Sequence, residues 1–314
     1  MSETLKIENF GPIKSVSLAL GKMTVLIGEQ ASGKSTIAKV LSICRYFSYI
    51  VNYSDSENEF SEFTENNQFK NGLEEWGLDE YLKKETKIFY ENHLYTFESE
   101  ADLHTKIDTI TEKSGIVSKT KITPISDAFK QLLNQLVSLR NDEVGKNKNS
   151  VEWLFWTPNE NFFRLNVKKV MDNPLFIPTE RGFQSLSVNK DSLVSNAILD
   201  ELAKINRIVR GTKNEVEIKP LDLTFRVEDQ LGKVRKTNEE EFYFLHKGAS
   251  GYQSSIPIVL AIKYYNEIEK RKRTFIVEEP EINLFPTSQK KLMHFFIESI
   301  NNHKHSFVIP THSP

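Results

Sequence analysis

The chain has 314 residues, enough for one large domain or two lobes with a sizeable core. Hydrophobic residues make up 39% and charged residues 27%, as in an ordinary globular protein, and a formal net charge of −2 excludes a global pull toward nucleic acid or an anionic membrane, though a local basic patch stays open. Cys44 is the only cysteine, which excludes an intrachain disulfide and argues against a cysteine-based zinc site. No apolar run approaches the ~20 residues that a membrane-spanning helix needs, and the polar opening carries no signal sequence. A cytoplasmic protein without a membrane partner is the expectation.

Residues 4–8 alternate, with Leu5 and Ile7 on one face, and residues 15–20 alternate too, with Val16, Leu18 and Leu20 together. Asn9-Phe10-Gly11-Pro12 between them is turn chemistry, so the chain opens with two paired strands. Residues 23–27 form a short apolar strand. It runs into Gly28-Glu29-Gln30-Ala31-Ser32-Gly33-Lys34-Ser35-Thr36, which reads G-x-x-x-x-G-K-S, the pattern of a phosphate-binding loop. Such a loop turns tightly and points backbone N–H groups at phosphate oxygens. The helix starting at Gly33 adds the positive end of its dipole. Lys34 supplies a mobile charge for the outer phosphates, and the Ser35 hydroxyl can ligate Mg²⁺. Residues 37–49 are apolar and helix-compatible, with Cys44 a small buried hydrophobe.

From 51 to about 170 the sequence turns polar, rich in Glu, Asn and Lys. Residues 125–140 have helical spacing through Phe129, Leu132, Leu133, Leu136 and Leu139. Trp153, Phe155, Trp156, Phe162 and Phe163 form an aromatic cluster that suits a small core better than a stacked base. Residues 141–150 read as a polar loop. The whole segment is expected to be a mostly helical insertion, too short for a long coiled-coil arm, since two helices of ~40 residues reach only ~60 Å.

The stretch 173–182, NPLFIPTERG, is a short apolar strand with Glu180 and Arg181 at its carboxyl end, where open α/β sheets place ligands. Arg181 could touch phosphate or a neighbouring subunit, or equally pair with Glu180 or another acid. Residues 192–210 form an amphipathic helix, and residues 215–244 hold alternating stretches that predict a small antiparallel sheet with a hairpin near Gly232. A helix over 250–270, a buried strand over 274–277, a helix over 286–301 and a strand over 306–309 complete the chain.

Three further stretches bear on the phosphate loop. Phe275-Ile-Val-Glu278-Glu279-Pro280 is an apolar strand ending in two acids. One carboxylate can hold a metal and the next can polarise an attacking water; read alone, the pair could simply cap the strand. Ser250-Gly251-Tyr-Gln253 opens a helix and offers an anion site, or an ordinary N-cap at Ser250. Ile309-Pro-Thr311-His312 delivers a histidine from a strand, which on its own would serve structure.

Taken in chain order, phosphate loop, Ser-Gly-x-Gln, Glu-Glu-Pro-Glu and Thr-His, the four motifs resemble the ABC-type ATPases. The opening LKIENFGPIKSVSLAL and the run Glu278-Glu279-Pro280-Glu281-Ile-Asn-Leu284-Phe-Pro286 are similar to the branch with SMC, RecF and OLD-family proteins, over about 1–50 and 171–314. The resemblance implies an α/β fold with a central mixed sheet flanked by helices and a helical and antiparallel second lobe. Lobe one would comprise 1–50, 171–186 and 271–314; lobe two would be 187–270; the insertion would be 51–170. ATP and Mg²⁺ are the implied cofactors. Gly28, Gln30, Ala31, Ser32, Gly33, Lys34, Ser35 and Thr36 would hold phosphates, with Ser35 and Glu278 on the metal, Glu279 as catalytic base and His312 as the switch histidine. Ser250, Gly251 and Gln253 match the signature that reaches the γ-phosphate bound by a second subunit. The resemblance therefore implies a homodimer or higher even oligomer that closes around shared ATP.

It further implies a role in DNA repair or anti-phage defence, gating an effector nuclease or toxin, with DNA a possible partner. Two other readings are an ATP-dependent DNA-binding clamp and a scaffold that binds nucleotide without hydrolysis. Several residues depart from the family pattern. Ala31 stands where many relatives have glycine, Glu278 replaces an aspartate, Phe285 replaces the aspartate of the subunit-contact loop, and the signature lacks its second glycine. The chain stops two residues after His312, where relatives continue, so either a fragment or a function completed by a partner is expected.

Overall fold

The computed structural model describes residues 3–51, 68–92, 95–103, 116–124, 174–179, 181, 196–212, 214–229, 231–270 and 272–312. The expected helix at 125–140, the loop at 141–150, the aromatic cluster at 153–163 and Glu180 lie outside them.

The chain divides into two compact units. The first comprises residues 1–20, 43–74 and 78–173. Its opening is a hairpin, β1 (Glu3–Phe10) and β2 (Ile13–Leu20), with Phe10 opposite Ile13 across the turn. Leu5 and Ile7 are fully buried, as their alternation requires. Helix α2 (Gln68–Glu75) precedes β4 (Lys87–Glu91), β5 (Tyr95–Leu103) and β6 (Ile116–Pro124), which extend the hairpin into an antiparallel sheet of order β2-β1-β4-β5-β6. The described part of 51–170 thus contains three strands where helix was expected. The reason is legible in β4, where Ile88 and Tyr90 are buried at period two against β1, a pattern that the polar composition around it obscures. Inside this unit the Arg45 guanidinium donates to both carboxylate oxygens of Glu3, at 2.6 and 2.5 Å.

The second unit comprises residues 21–42, 75–77 and 174–314. Its main sheet has the order β3-β13-β12-β7, all parallel, from β3 (Met23–Ile27), β7 (Leu175–Ile177), β12 (Thr274–Val277) and β13 (Ser306–Thr311). Phe275, Ile276, Val277, Phe307, Val308 and Ile309 are buried on both faces, which explains their near-continuous apolar sequence. Phe307 stacks on Phe275 at 5.2 Å and on Phe296 of α5 (Pro286–His303) at 4.8 Å, fixing that helix against the sheet. Helix α1 (Lys34–Val51) leaves the phosphate loop.

A second sheet of order β11-β10-β9-β8 is antiparallel, from β8 (Val216–Ile218), β9 (Leu223–Glu228), β10 (Leu231–Lys236) and β11 (Tyr243–Phe244). It forms where alternation predicted it, with the hairpin joining Glu228 and Leu231. Helices α3 (Asn196–Arg210) and α4 (Ser250–Lys263) share its core, through Ile205, Val209, Ile256 and Leu260.

Candidate functional site

Parallel register brings four chain ends to one edge of the main sheet. Thr311 lies opposite Ile27, and Val277 lies opposite Ile177. The residues that follow the strands are therefore neighbours: the loop from Gly28, His312, Glu278 and Pro178. This is the carboxyl edge, where parallel α/β sheets bind their ligands.

The phosphate loop closes over its own lysine. Lys34 Nζ donates to the carbonyls of Gly28 at 2.8 Å and Glu29 at 2.7 Å, and lies 3.4 Å from Ser32 Oγ. Gly33 has φ 93° and Ala31 has φ 59°, so two turns through positive φ shape the cradle. A Cβ at Gly28 would stand 3.0 Å from Ser32 Oγ, so the first glycine of the motif keeps the cradle open. Helix α1 begins with Ile37 N–H donating to Gly33 O at 2.9 Å. Its first amides and the exposed Ser35 thus head a helix N-terminus facing the loop. These features fit a triphosphate. A Mg²⁺ ion taken up with it could draw on Ser35, on Glu278 and on phosphate oxygens, the mixed set usual for this cation.

His312 connects the loop to the acids. Its Nδ1 lies 3.4 Å from Lys34 Nζ, and its Nε2 lies 3.2 Å from Glu279 Oε1. An ammonium offers no lone pair, so Nδ1 accepts and Nε2 carries the hydrogen that is donated to Glu279. Three residues from distant parts of the sequence, Lys34, His312 and Glu279, form one contact chain. Glu278 is buried at 4% exposure, whereas the Glu279 side chain keeps 27%, so the two adjacent acids sit in different environments.

The turn after β12 is held by long-range bonds. Glu278 N–H donates to Ile177 O at 3.0 Å, and Glu279 N–H donates to Pro310 O at 2.8 Å. Glu279 has φ 42°, an unusual backbone for a residue with a side chain. The sequence assigned Glu281 no role beyond its motif, yet its carboxylate accepts from the Thr311 hydroxyl and, at 3.1 Å, from His312 N–H. It ties the histidine's strand end to the acidic turn. The E-E-P-E spacing was the signal available for it.

For Arg181 the expected pairing with Glu180 falls outside the described residues, while the contact with a neighbouring subunit does not fit its position. Arg181 is fully buried, which takes it away from any neighbouring subunit. Its guanidinium donates to four main-chain carbonyls: Ser254 at 2.9 Å, Pro178 at 2.9 Å, Glu278 at 2.6 Å and Glu279 at 2.8 Å.

The signature residues take their contacts from the 282–284 turn and the turn before α4. Ala249, not Ser250, is the N-cap of α4, so the exposed Ser250 hydroxyl is not spent on capping. Gly251 is buried, and a Cβ there would come within 2.4 Å of Asn283 O. Gln253 Nε2 donates to Gly248 O at 2.9 Å. Phe285 stands beside them, 81% exposed, as N-cap of α5.

No curated protein matches the chain. Among solved structures it is similar to an SMC head bound to the C-winged helix domain of ScpA, at 9% identity and TM-score 0.51, covering 99% of this chain and 89% of that one. The SMC head domain from Thermotoga maritima (10% identity, TM-score 0.48) and the Smc head with an extended coiled coil derived from Pyrococcus furiosus (10%, TM-score 0.44) also match, each over 99% of this chain and 89% of theirs. At such identities the first of these speaks for fold alone: an SMC-head-like α/β ATPase. Among the described residues, no helix is long and apolar enough to cross a membrane. The family described as AAA ATPase domain matches residues 1–314, the whole length, and the chain belongs to that family.

Proposed function

We propose that this chain hydrolyses ATP with Mg²⁺ in a site shared between two copies, and that closure of the copies gates a partner protein. The observation that carries the reading is the Lys34–His312–Glu279 contact chain at the carboxyl edge of the parallel sheet. Bound Mg²⁺-ATP supplies the electrophilic phosphorus and neutralises charge on the phosphates. The loop amides, Lys34, Ser35 and Thr36 hold the outer phosphates, with Gln30, Ala31 and Ser32 lining the cradle. Glu278 belongs on the metal side. Glu279 takes a proton from the attacking water, and His312 orients that carboxylate through its Nε2–H while its other nitrogen faces Lys34.

The composite site follows from Ser250. Its hydroxyl is exposed at the start of α4, among residues that contact the 282–284 turn. A second copy's γ-phosphate would complete it, with Gly251 and Gln253 setting the shape of the helix start. The solved head structure that carries ScpA supports a protein partner by analogy. An effector nuclease or toxin in anti-phage defence or DNA repair is the role that the family resemblance favours, with DNA as an alternative partner and the cytoplasm as the location.

Mixing separates the two halves of the proposal. S250R blocks closure by bulk and charge while leaving the phosphate loop intact; K34A removes the charge that compensates the outer phosphates. Each variant alone should release little phosphate. Their heterodimer has one intact composite site, so the mixture should recover part of the lost rate. A mixture no more active than the two variants summed, with heterodimer verified by mass, would count against shared sites. Wild-type chain that releases no phosphate from ATP would overturn hydrolysis itself.

A further inference from the structure

We propose that Arg181 is a positioning residue that sets the backbone of Glu279 and couples it to helix α4, an inference that rests on Glu279 acting as the base. Glu279 sits at φ 42°, and both polar groups of its backbone are held: its N–H by Pro310 O at 2.8 Å, and its carbonyl by Arg181 Nη2 at 2.8 Å as well as by the local Ile282 N–H at 3.1 Å. The same guanidinium holds the carbonyl of Glu278 at 2.6 Å through Nη1, which also reaches Pro178 O at 2.9 Å. Its Nε holds Ser254 O at 2.9 Å, one turn into α4. One planar group therefore ties three segments together: the end of β7, the acidic turn after β12 and the helix that begins at Ser250.

Geometry makes the assignment specific to arginine. Five donors in a rigid fork can satisfy carbonyls that approach from different sides in one plane, and a single ammonium cannot. A full positive charge buried among main-chain carbonyls is costly to remove from water, so its neighbours are held firmly once it is in place. The consequence is directional. A displacement of α4 reaches the carbonyls of Glu278 and Glu279 through a rigid link, without passing through any side chain of the phosphate loop. Arg181 acts through the main chain of the acidic turn, and its effect on the rate is read at Glu279.

R181K tests this with four measurements: ATP affinity, KM, kcat and the effect of R181K in an E279Q background. The expected result is near-wild-type affinity for labelled ATP, KM little changed and kcat lowered on the order of 10²-fold, the scale of a misplaced catalytic group. In E279Q the same change should cost almost nothing more, because the residue it positions is already inert. A kcat equal to wild type, a loss of ATP affinity matching the loss of rate, or an undiminished penalty in E279Q would each overturn the role. Should R181K fail to fold, backbone amide exchange on the wild-type chain decides. Addition of ATP should raise protection of Glu278 and Glu279 and of residues 252–256 together, and protection confined to one segment would overturn the coupling. An inactive wild-type chain removes the ATPase reading and this role with it; an active wild type with a fully active R181K removes this role alone.

Discussion

The phosphate loop and the acidic turn after β12 face each other across one sheet edge, yet they are built by opposite means. The loop is held by itself. Lys34 bonds to the carbonyls of Gly28 and Glu29, and positive φ at Ala31 and Gly33 gives the curvature. The acidic turn is held by residues far away in sequence: Ile177, Arg181, Pro310 and Thr311. Its backbone at Glu279 is unusual; the local bonds from Ile282 N–H to Glu279 O and from Leu284 N–H to Glu281 O close the turn, and the distant partners fix it to the sheet edge. A local device can bind nucleotide by its own geometry. A device assembled from three segments can respond to what moves any of them, which suits a catalytic step that must wait for a partner.

The largest expected effect separates these two devices at the chemistry. E279Q keeps the shape of the side chain but cannot act as a base, and should lower the hydrolysis rate by ~10²–10⁴-fold while retaining ATP binding. Phosphate release and equilibrium binding of labelled ATP check it together. If E278Q instead traps ATP and E279Q turns over normally, the two acids have exchanged roles. A second, smaller effect probes the long-range side. G251A would force a Cβ to within 2.4 Å of Asn283 O, so the variant should lose ~1–3 kcal/mol of stability, read as a lower denaturation midpoint. An unchanged midpoint would mean that the 282–284 turn yields freely. The smallest effect belongs to the loop. A31G relieves a residue with a side chain at φ 59°, and should gain on the order of 0.5–1 kcal/mol. A loss would show that the alanine methyl makes a contact worth more than the strain.

The same division explains what was legible in the sequence. The loop, β3, β7, β12, α5 and the second sheet follow from local patterns, and all formed close to where periodicity and turn residues put them. The parallel order β3-β13-β12-β7 sets His312 between Lys34 and Glu279, an arrangement that no local pattern encodes. Strand β4 was missed because one of its partners lies far away, Ile88 being a strand residue because Ile7 is opposite it, and β5 and β6, which pair in sequence after β4, were missed with it. The main-chain role of Arg181 and the ties made by Glu281 were passed over for a related reason. A buried arginine that serves main-chain carbonyls leaves no mark in the sequence, since its acceptors are common to every residue type. Ser250 was weighed as a cap because serine so often is one, and Ala249 took that position instead.

Ser250 and Gly251 are adjacent letters of one motif, but they answer to different judges. Gly251 is fixed by the carbonyl of Asn283 inside its own chain, so any lineage that keeps this fold must keep that glycine or move the turn with it. Ser250 is exposed, and among the described residues its hydroxyl does not cap its own helix. In a descendant that gave up closing around nucleotide, Ser250 would drift first while Gly251 stayed. A serine retained there across divergent descendants would record continued selection on the assembled site, whereas the glycine beside it would record only that the protein still folds.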